Sequence, residues 1–94
     1  MTNPLTILSE VRRAIDEADT IFLRALAARF RAVRHLKTVK DVAGIEIEDP
    51  EREKVLKDLW RKQATDLGIP VELALLILDC ILVESKKIQH STDA

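Results

Sequence analysis

The feature of this sequence that most limits its fold is a long stretch without glycine or proline, between Pro4 and Gly44. Apolar residues recur along it in steps of three and four with a single gap, the spacing of one face of an α-helix. We therefore predict one helix from about Pro4 to about Val42, far longer than the usual helix of a globular domain. The apolar face comprises Leu5, Leu8, Val11, Ile15, Ala18, Phe22, Leu26, Val33, Leu36 and Val39.

The length of this helix bears on how many chains the protein needs. The chain has 94 residues, which suits one domain, and we expect a single domain over residues 1–94. A domain of this size buries a limited share of its surface and cannot cover the whole apolar face of so long a helix. The sequence therefore predicts an all-α fold whose first helix packs against a partner chain.

A second helix is predicted after Gly44, a residue that suits the left-handed end of the first helix. A short loop over residues 45–48 leads to Asp49, which can cap the next helix through its carboxylate. Pro50 follows at the first helical position, where proline is favoured. We expect this helix to run to about Asp66.

A third helix is predicted after the "DLGIP" segment, with Pro70 opening it. It runs to about His90 and is mostly apolar as far as Val83, so we expect it to be central in the fold. Residues 91–94 are expected to form a frayed tail.

Composition and charge argue against several functional classes. The net charge is −1 with 33% charged residues, whereas nucleic-acid-binding proteins usually carry a basic excess. Metal binding is not indicated either, because His35, Cys80 and His90 have no ligand spacing between them. We therefore expect no nucleic-acid partner and no metal.

The single cysteine, Cys80, bears on the compartment. One cysteine cannot form an intrachain disulfide, which favours a reducing compartment. No base for a nucleophile is evident in the sequence, so we expect a buried structural thiol.

The N-terminus does not resemble a signal peptide. The longest apolar region, residues 71–83, contains Glu72 and Asp79 and is too short to span a bilayer. These features predict a cytoplasmic protein without membrane attachment.

Polar residues recur at helical spacing on all three helices. Arg29 and Lys40 are eleven residues apart, about three turns, so both lie on nearly one face roughly 16 Å apart. Ser85 and Gln89 are four apart on one face of the third helix. Taken singly, each set is explained by solvation; together they offer basic and neutral hydrogen-bonding groups.

The start of the second helix, "DPERE", adds acidic groups to this set. Arg52 and Glu53 stand three and four residues after Asp49, and this spacing puts the side chains on one face. Ordinary capping and solvation explain these residues as well as a polar site does. The spacing alone leaves both readings open.

Taken in order, these fragments resemble the AroQ-class chorismate mutases. The segment "VRRAIDEAD" is similar to the family's first helix, in which the pattern Leu-Arg-x-x-Ile-x-x-x-Asp recurs. The match continues through "ALAARF", Lys40, "DPERE" and "VESKKIQ", without a gap from Leu8 to Gln89. The departures are conservative: Val11 replaces the usual leucine, and Leu82 stands where a β-branched residue is common.

The resemblance implies a fold, an activity and a set of site residues. The fold is an intertwined all-α dimer of three-helix chains with two identical sites, and the activity is the rearrangement of chorismate to prephenate without a cofactor. Three arginines would hold the two substrate carboxylates, with Ser85 as a further contact. A lysine and an amide would bind the ether oxygen, and Glu53 would accept from the ring hydroxyl beside the backbone of Asp49. The three arginines are Arg12, Arg29 and Arg52, the lysine is Lys40, and the amide is that of Gln89.

Helix geometry explains why two chains would share each site. Arg12 precedes Arg29 by seventeen residues, which is roughly 25 Å along a helix and about 100° around it. One straight helix cannot place both guanidinium groups on one small molecule. If both serve one site, Arg12 must come from the other chain of a homodimer.

Three alternative functions stay open from the sequence. Elimination of pyruvate from isochorismate uses the same scaffold, but relatives with that activity tend to lose the acidic groups equivalent to Asp49 and Glu53. Rearrangement of 4-amino-4-deoxychorismate is the closer alternative, since Glu53 can accept from an ammonium as well as from a hydroxyl. A helical dimerisation module without activity explains the apolar faces but not the polar matches. A regulatory partner enzyme is also left open.

Overall fold

The computed structural model describes residues 3–46 and 49–91, which contain three α-helices and no strand. The helices are α1 at Pro4–Ala43, α2 at Pro50–Leu67 and α3 at Val71–His90. These bounds confirm the all-α, three-helix prediction and the long first helix. Residues 47 and 48 of the predicted loop, and residues 92–94 of the predicted tail, lie outside the described residues. No helix within the described ranges has the length and apolar character needed to cross a membrane.

The chain divides into two units, residues 1–32 and residues 33–94. In the first unit, every described residue of α1 as far as Ala25 is exposed. The predicted apolar face is included, since Leu5 is 71% exposed, Ile15 is 54% exposed and Phe22 is 53% exposed. Soluble chains rarely leave so long an apolar face in water, and such faces mark interaction surfaces.

The second unit contains the end of α1, together with α2 and α3, and α2 packs against α3. Its buried apolar side chains come mainly from α3, namely Ala74, Leu78 and Ile81, and Leu78 is fully buried. Their spacing of four and three residues puts them on one face of the helix. The prediction that α3 is central is confirmed for this unit.

The helix ends follow the local chemistry of the sequence. Asp49 caps α2, because its Oδ1 accepts a hydrogen bond from the backbone N–H of Arg52 at 3.0 Å. Gly68 ends α2 with a φ of 72°, a left-handed conformation that glycine adopts at no steric cost. Pro70 is the N-cap of α3 and not its first residue, since it is extended and its carbonyl accepts from the N–H of Ala74 at 3.1 Å.

One prediction for α3 is wrong in this chain: Cys80 is exposed and not buried. The buried residues Leu78 and Ile81 mark the packed side of α3, whereas Cys80 is two residues after Leu78 and about 200° further around the helix. The helix is apolar on most sides, so the sequence did not reveal which side packs inward.

Candidate active site

Lys40 and Gln89 meet in the second unit although they are 49 residues apart in the chain. Lys40 lies in the last turn of α1, and its Nζ donates a hydrogen bond to Oε1 of Gln89, near the end of α3, at 3.1 Å. Both side chains are partly buried. A charged donor in such a position makes a stronger hydrogen bond than a neutral one. The contact therefore fixes an ammonium beside an amide.

Glu53 is held by a lysine that sequence reasoning did not assign to the site. Nζ of Lys86 on α3 lies 2.9 Å from Oε1 of Glu53 on α2, with the side chains 41% and 30% exposed respectively. The partners are far apart in the chain, so no local spacing indicated the pair. Lys86 was part of the "VESKKIQ" fragment, but only the packing of α2 on α3 singles it out.

These two contacts lie side by side on α3. Lys86 and Gln89 are three residues apart, which is about 4.5 Å along the helix and about 60° around it. Lys40 from α1 and Glu53 from α2 therefore reach neighbouring positions of one helix face. We call Lys40, Glu53, Lys86 and Gln89 the polar cluster. It offers two cations, one carboxylate and one amide, which can bind a ligand that carries both negative charge and a hydroxyl.

Ser85 precedes this cluster on α3 and is only 4% exposed. Its hydroxyl donates to the backbone carbonyl of Ile81 at 2.8 Å, a common local bond for serine within a helix. A hydroxyl committed to this bond keeps its oxygen as an acceptor. To donate to a substrate carboxylate, as the resemblance implies, the hydroxyl hydrogen must rotate away from Ile81.

The other predicted site residues divide between the start of α2 and the first unit. Asp49 and Arg52 are exposed, and the Asp49 carboxylate is committed to the cap. The backbone carbonyl of Asp49 accepts from the N–H of Glu53 at 3.1 Å, which ties the cap to the acid of the polar cluster. Arg12 and Arg29 lie on α1 in the first unit, where Arg12 is exposed and Arg29 is partly buried.

An open groove of about 520 Å³ lies between the end of α1 and the end of α3. An ion pair between Lys37 and Asp41 at 3.2 Å neutralises part of its charge. None of the predicted site residues lines it, so it is distinct from the polar cluster. Its lining residues are Arg34, Lys37, Thr38, Asp41, Val42, Ile88 and Ser91.

Comparison with known proteins bears on what this arrangement does. A family model described as chorismate mutase type II matches residues 11–90. The chain belongs to the type II chorismate mutase family. It is 32% identical over 82 residues to a chorismate mutase of Methanocaldococcus jannaschii, a match that covers 87% of this chain and 83% of the relative. The chain is therefore an enzyme, an isomerase with chorismate mutase activity.

A second relative is much longer than this chain. The T-protein of Enterobacter agglomerans is 36% identical over 78 residues, which are 83% of this chain but 21% of that protein. No solved structure matches the chain significantly. The type II chorismate mutase match includes every predicted site residue from Arg12 to Gln89. It assigns no role to any one of them, and the individual roles remain predictions.

Proposed function

We propose that this chain rearranges chorismate to prephenate at two identical sites of an intertwined homodimer, each site being built from both chains. The observation that carries the proposal is the contact between Lys40 and Gln89, which sets an ammonium beside an amide. Membership of the type II chorismate mutase family supports the same reaction. We further propose that residues 1–94 form a single catalytic domain and that the protein acts in the cytoplasm.

The reaction is intramolecular, so the site has to hold the substrate and stabilise its transition state, and it need not supply a reacting group. The ether C–O bond breaks while a new C–C bond forms, and negative charge develops on the ether oxygen. A fixed cation and an amide N–H are well suited to this charge. Because Oε1 of Gln89 accepts from Lys40, the amide Nε2 lies on the other side of the amide and can donate to the ether oxygen. Lys40 supplies the positive charge.

Holding the flexible substrate in its compact reactive conformation is the second contribution. Arg12, Arg29 and Arg52 bind its two carboxylates, since the guanidinium group pairs with a carboxylate through two parallel hydrogen bonds. Ser85 is a further carboxylate contact. Fixing both ends of the molecule removes much of the entropic part of the barrier.

The dimer follows from the arginines and from the exposed apolar face. Arg12 and Arg29 are too far apart along one helix to grip one substrate, so Arg12 is supplied by the partner chain. Apolar residues of the first unit, such as Ile15 and Phe22, are half-exposed in the single chain and gain a partner on dimerisation. Burying such side chains is a main driving force of association.

Glu53 positions the ring of the substrate. Its carboxylate accepts a hydrogen bond from the ring hydroxyl, beside the backbone of Asp49, whose cap fixes the first turn of α2. Lys86 holds one of its oxygens, and the other keeps its capacity as an acceptor. This assignment makes the start of α2 a catalytic element as well as a helix end.

Incubation with chorismate, isochorismate and the 4-amino analogue tests the proposal. We expect chorismate to be consumed with formation of prephenate, and we expect isochorismate to release no pyruvate. NMR detects prephenate and pyruvate in each incubation. Failure to consume chorismate, or release of pyruvate as the main reaction, would overturn it.

A further inference from the structure

Lys86 pairs with Glu53 in the polar cluster, but the proposed reaction gives no role to the positive charge of Lys86. We propose that Lys86 is a specificity-determining residue, whose positive charge makes the site prefer a substrate with a ring hydroxyl over one with a ring ammonium. The inference rests on the proposed function and extends it to the choice between chorismate and its 4-amino analogue.

Lys86 contacts Glu53, whose carboxylate is proposed to bind the hydroxyl on the substrate ring. Its Nζ lies 2.9 Å from Oε1 of Glu53, and the pair joins α2 to α3. Lys86 is also three residues from Gln89 on one face of α3, so the two residues are neighbours within the polar cluster. One Glu53 oxygen is thereby occupied by a cation, while the other accepts from the substrate.

The positive charge of Lys86 should make the site bind the two substrates unequally. A hydroxyl is neutral, and donating to a carboxylate already paired with Lys86 brings no like charges together. An ammonium at the same place adds a second cation to one carboxylate, within roughly 5 Å of Nζ. Like charges at that distance repel, and the partial burial of both side chains limits the screening of this repulsion by water. The expected discrimination is about 10- to 100-fold in relative kcat/KM.

A purely structural ion pair predicts a different result. Partly exposed pairs stabilise folded proteins only slightly, and losing one would affect both substrates alike. The ratio of kcat/KM for the 4-amino analogue to kcat/KM for chorismate therefore isolates the proposed role. A change in the folded fraction, or any other effect that alters kcat/KM for both substrates by the same factor, cancels in this ratio.

The test compares three full-length variants with the wild type on both substrates. Lys86→Met removes the charge at similar length and should raise the ratio by about tenfold or more. Lys86→Arg keeps the charge and should keep the wild-type ratio. Lys87→Met is the matched control, because Lys87 is the adjacent lysine, is 67% exposed and pairs with Glu84 of its own helix at 3.0 Å. Its ratio should equal that of the wild type.

An unchanged ratio in Lys86→Met, or an equal rise in Lys87→Met, would overturn the inference. If Lys86→Met does not fold, Lys86→Gln, which keeps a polar side chain without the charge, gives the same comparison under the same criteria. The wild-type rate on chorismate separates the two proposals. A wild type that does not turn over chorismate refutes the proposed function and this inference with it. A wild type that does, with an unchanged ratio in the variants, refutes the inference alone.

Discussion

Replacing Lys40 by methionine should separate catalysis from stability. The substitution keeps the length of the side chain and removes its charge and its donors. In the folded chain, Nζ of Lys40 donates to Oε1 of Gln89 at 3.1 Å in a partly buried contact. Loss of that donor costs about 1–3 kcal/mol of stability for a fully buried partner, and about 1 kcal/mol is expected here because the contact is only partly buried. For a domain of this size, that is a fall in Tm of about 4–8 °C.

The expected kinetic effect is much larger. If Lys40 stabilises the charge on the ether oxygen, its removal resembles the loss of one oxyanion donor, which costs about 2.7–4 kcal/mol. That corresponds to a fall in kcat of about 100- to 1000-fold. KM should change less, since the charge on the oxygen develops only as the bond breaks.

The assay follows chorismate consumption by absorbance over a range of substrate concentrations, at a temperature well below the Tm of every variant. Lys37→Met is the matched control, because Lys37 lies one turn earlier on α1 and its Nζ pairs with Asp41 at 3.2 Å, whereas Nζ of Lys40 donates to Gln89. Its kcat should stay within about twofold of the wild type. A Lys40→Met variant that changes KM alone would refute the reasoning, since that result means equal binding of substrate and transition state. An equal loss in the control would refute it too.

Two further predictions follow from single contacts. Gln89→Glu should give a kcat that rises as pH falls, because a carboxyl must hold a proton to donate, whereas the wild-type amide does not titrate and its profile should be nearly flat from about pH 6 to pH 8. Measured pH profiles of kcat check this, and a variant with the wild-type profile would mean that residue 89 does not face the reacting oxygen. Asp49→Ala should lower stability by about 0.5–2 kcal/mol through loss of the cap, and Asp49→Asn should not. Thermal melts followed by circular dichroism decide the matter, and equal Tm values for the two variants would contradict the role of the cap.

The helices could be predicted from the sequence because the residues that begin and end them act on their immediate neighbours in the chain. Glycine and proline are absent from α1 after Pro4, and Gly44 and Gly68 mark the ends of α1 and α2 with a positive φ. The cap at Asp49 depends on residues within one turn. Local rules suffice for features of this kind.

The site was less accessible to sequence reasoning because its contacts are tertiary. Only the family resemblance pairs Lys40 with Gln89, since the two residues are 49 positions apart in the chain. Neither the resemblance nor local spacing indicates the contact of Lys86 with Glu53, which only the structure reveals. The prediction that Cys80 is buried is wrong because α3 is apolar on most sides, so periodicity does not distinguish the buried face of the helix.

Subunit mixing tests the shared site most directly. Arg12→Ala and Arg29→Ala chains, each inactive alone, are denatured together in equal amounts, refolded and assayed with chorismate, and formation of the mixed dimer is verified by mass spectrometry. If each site takes Arg12 from one chain and Arg29 from the other, every mixed dimer holds one intact site. Random pairing makes half of the dimers mixed, so about one quarter of the wild-type activity should return. No recovery in verified mixed dimers would contradict the account, because it would place both arginines of each site on the same chain.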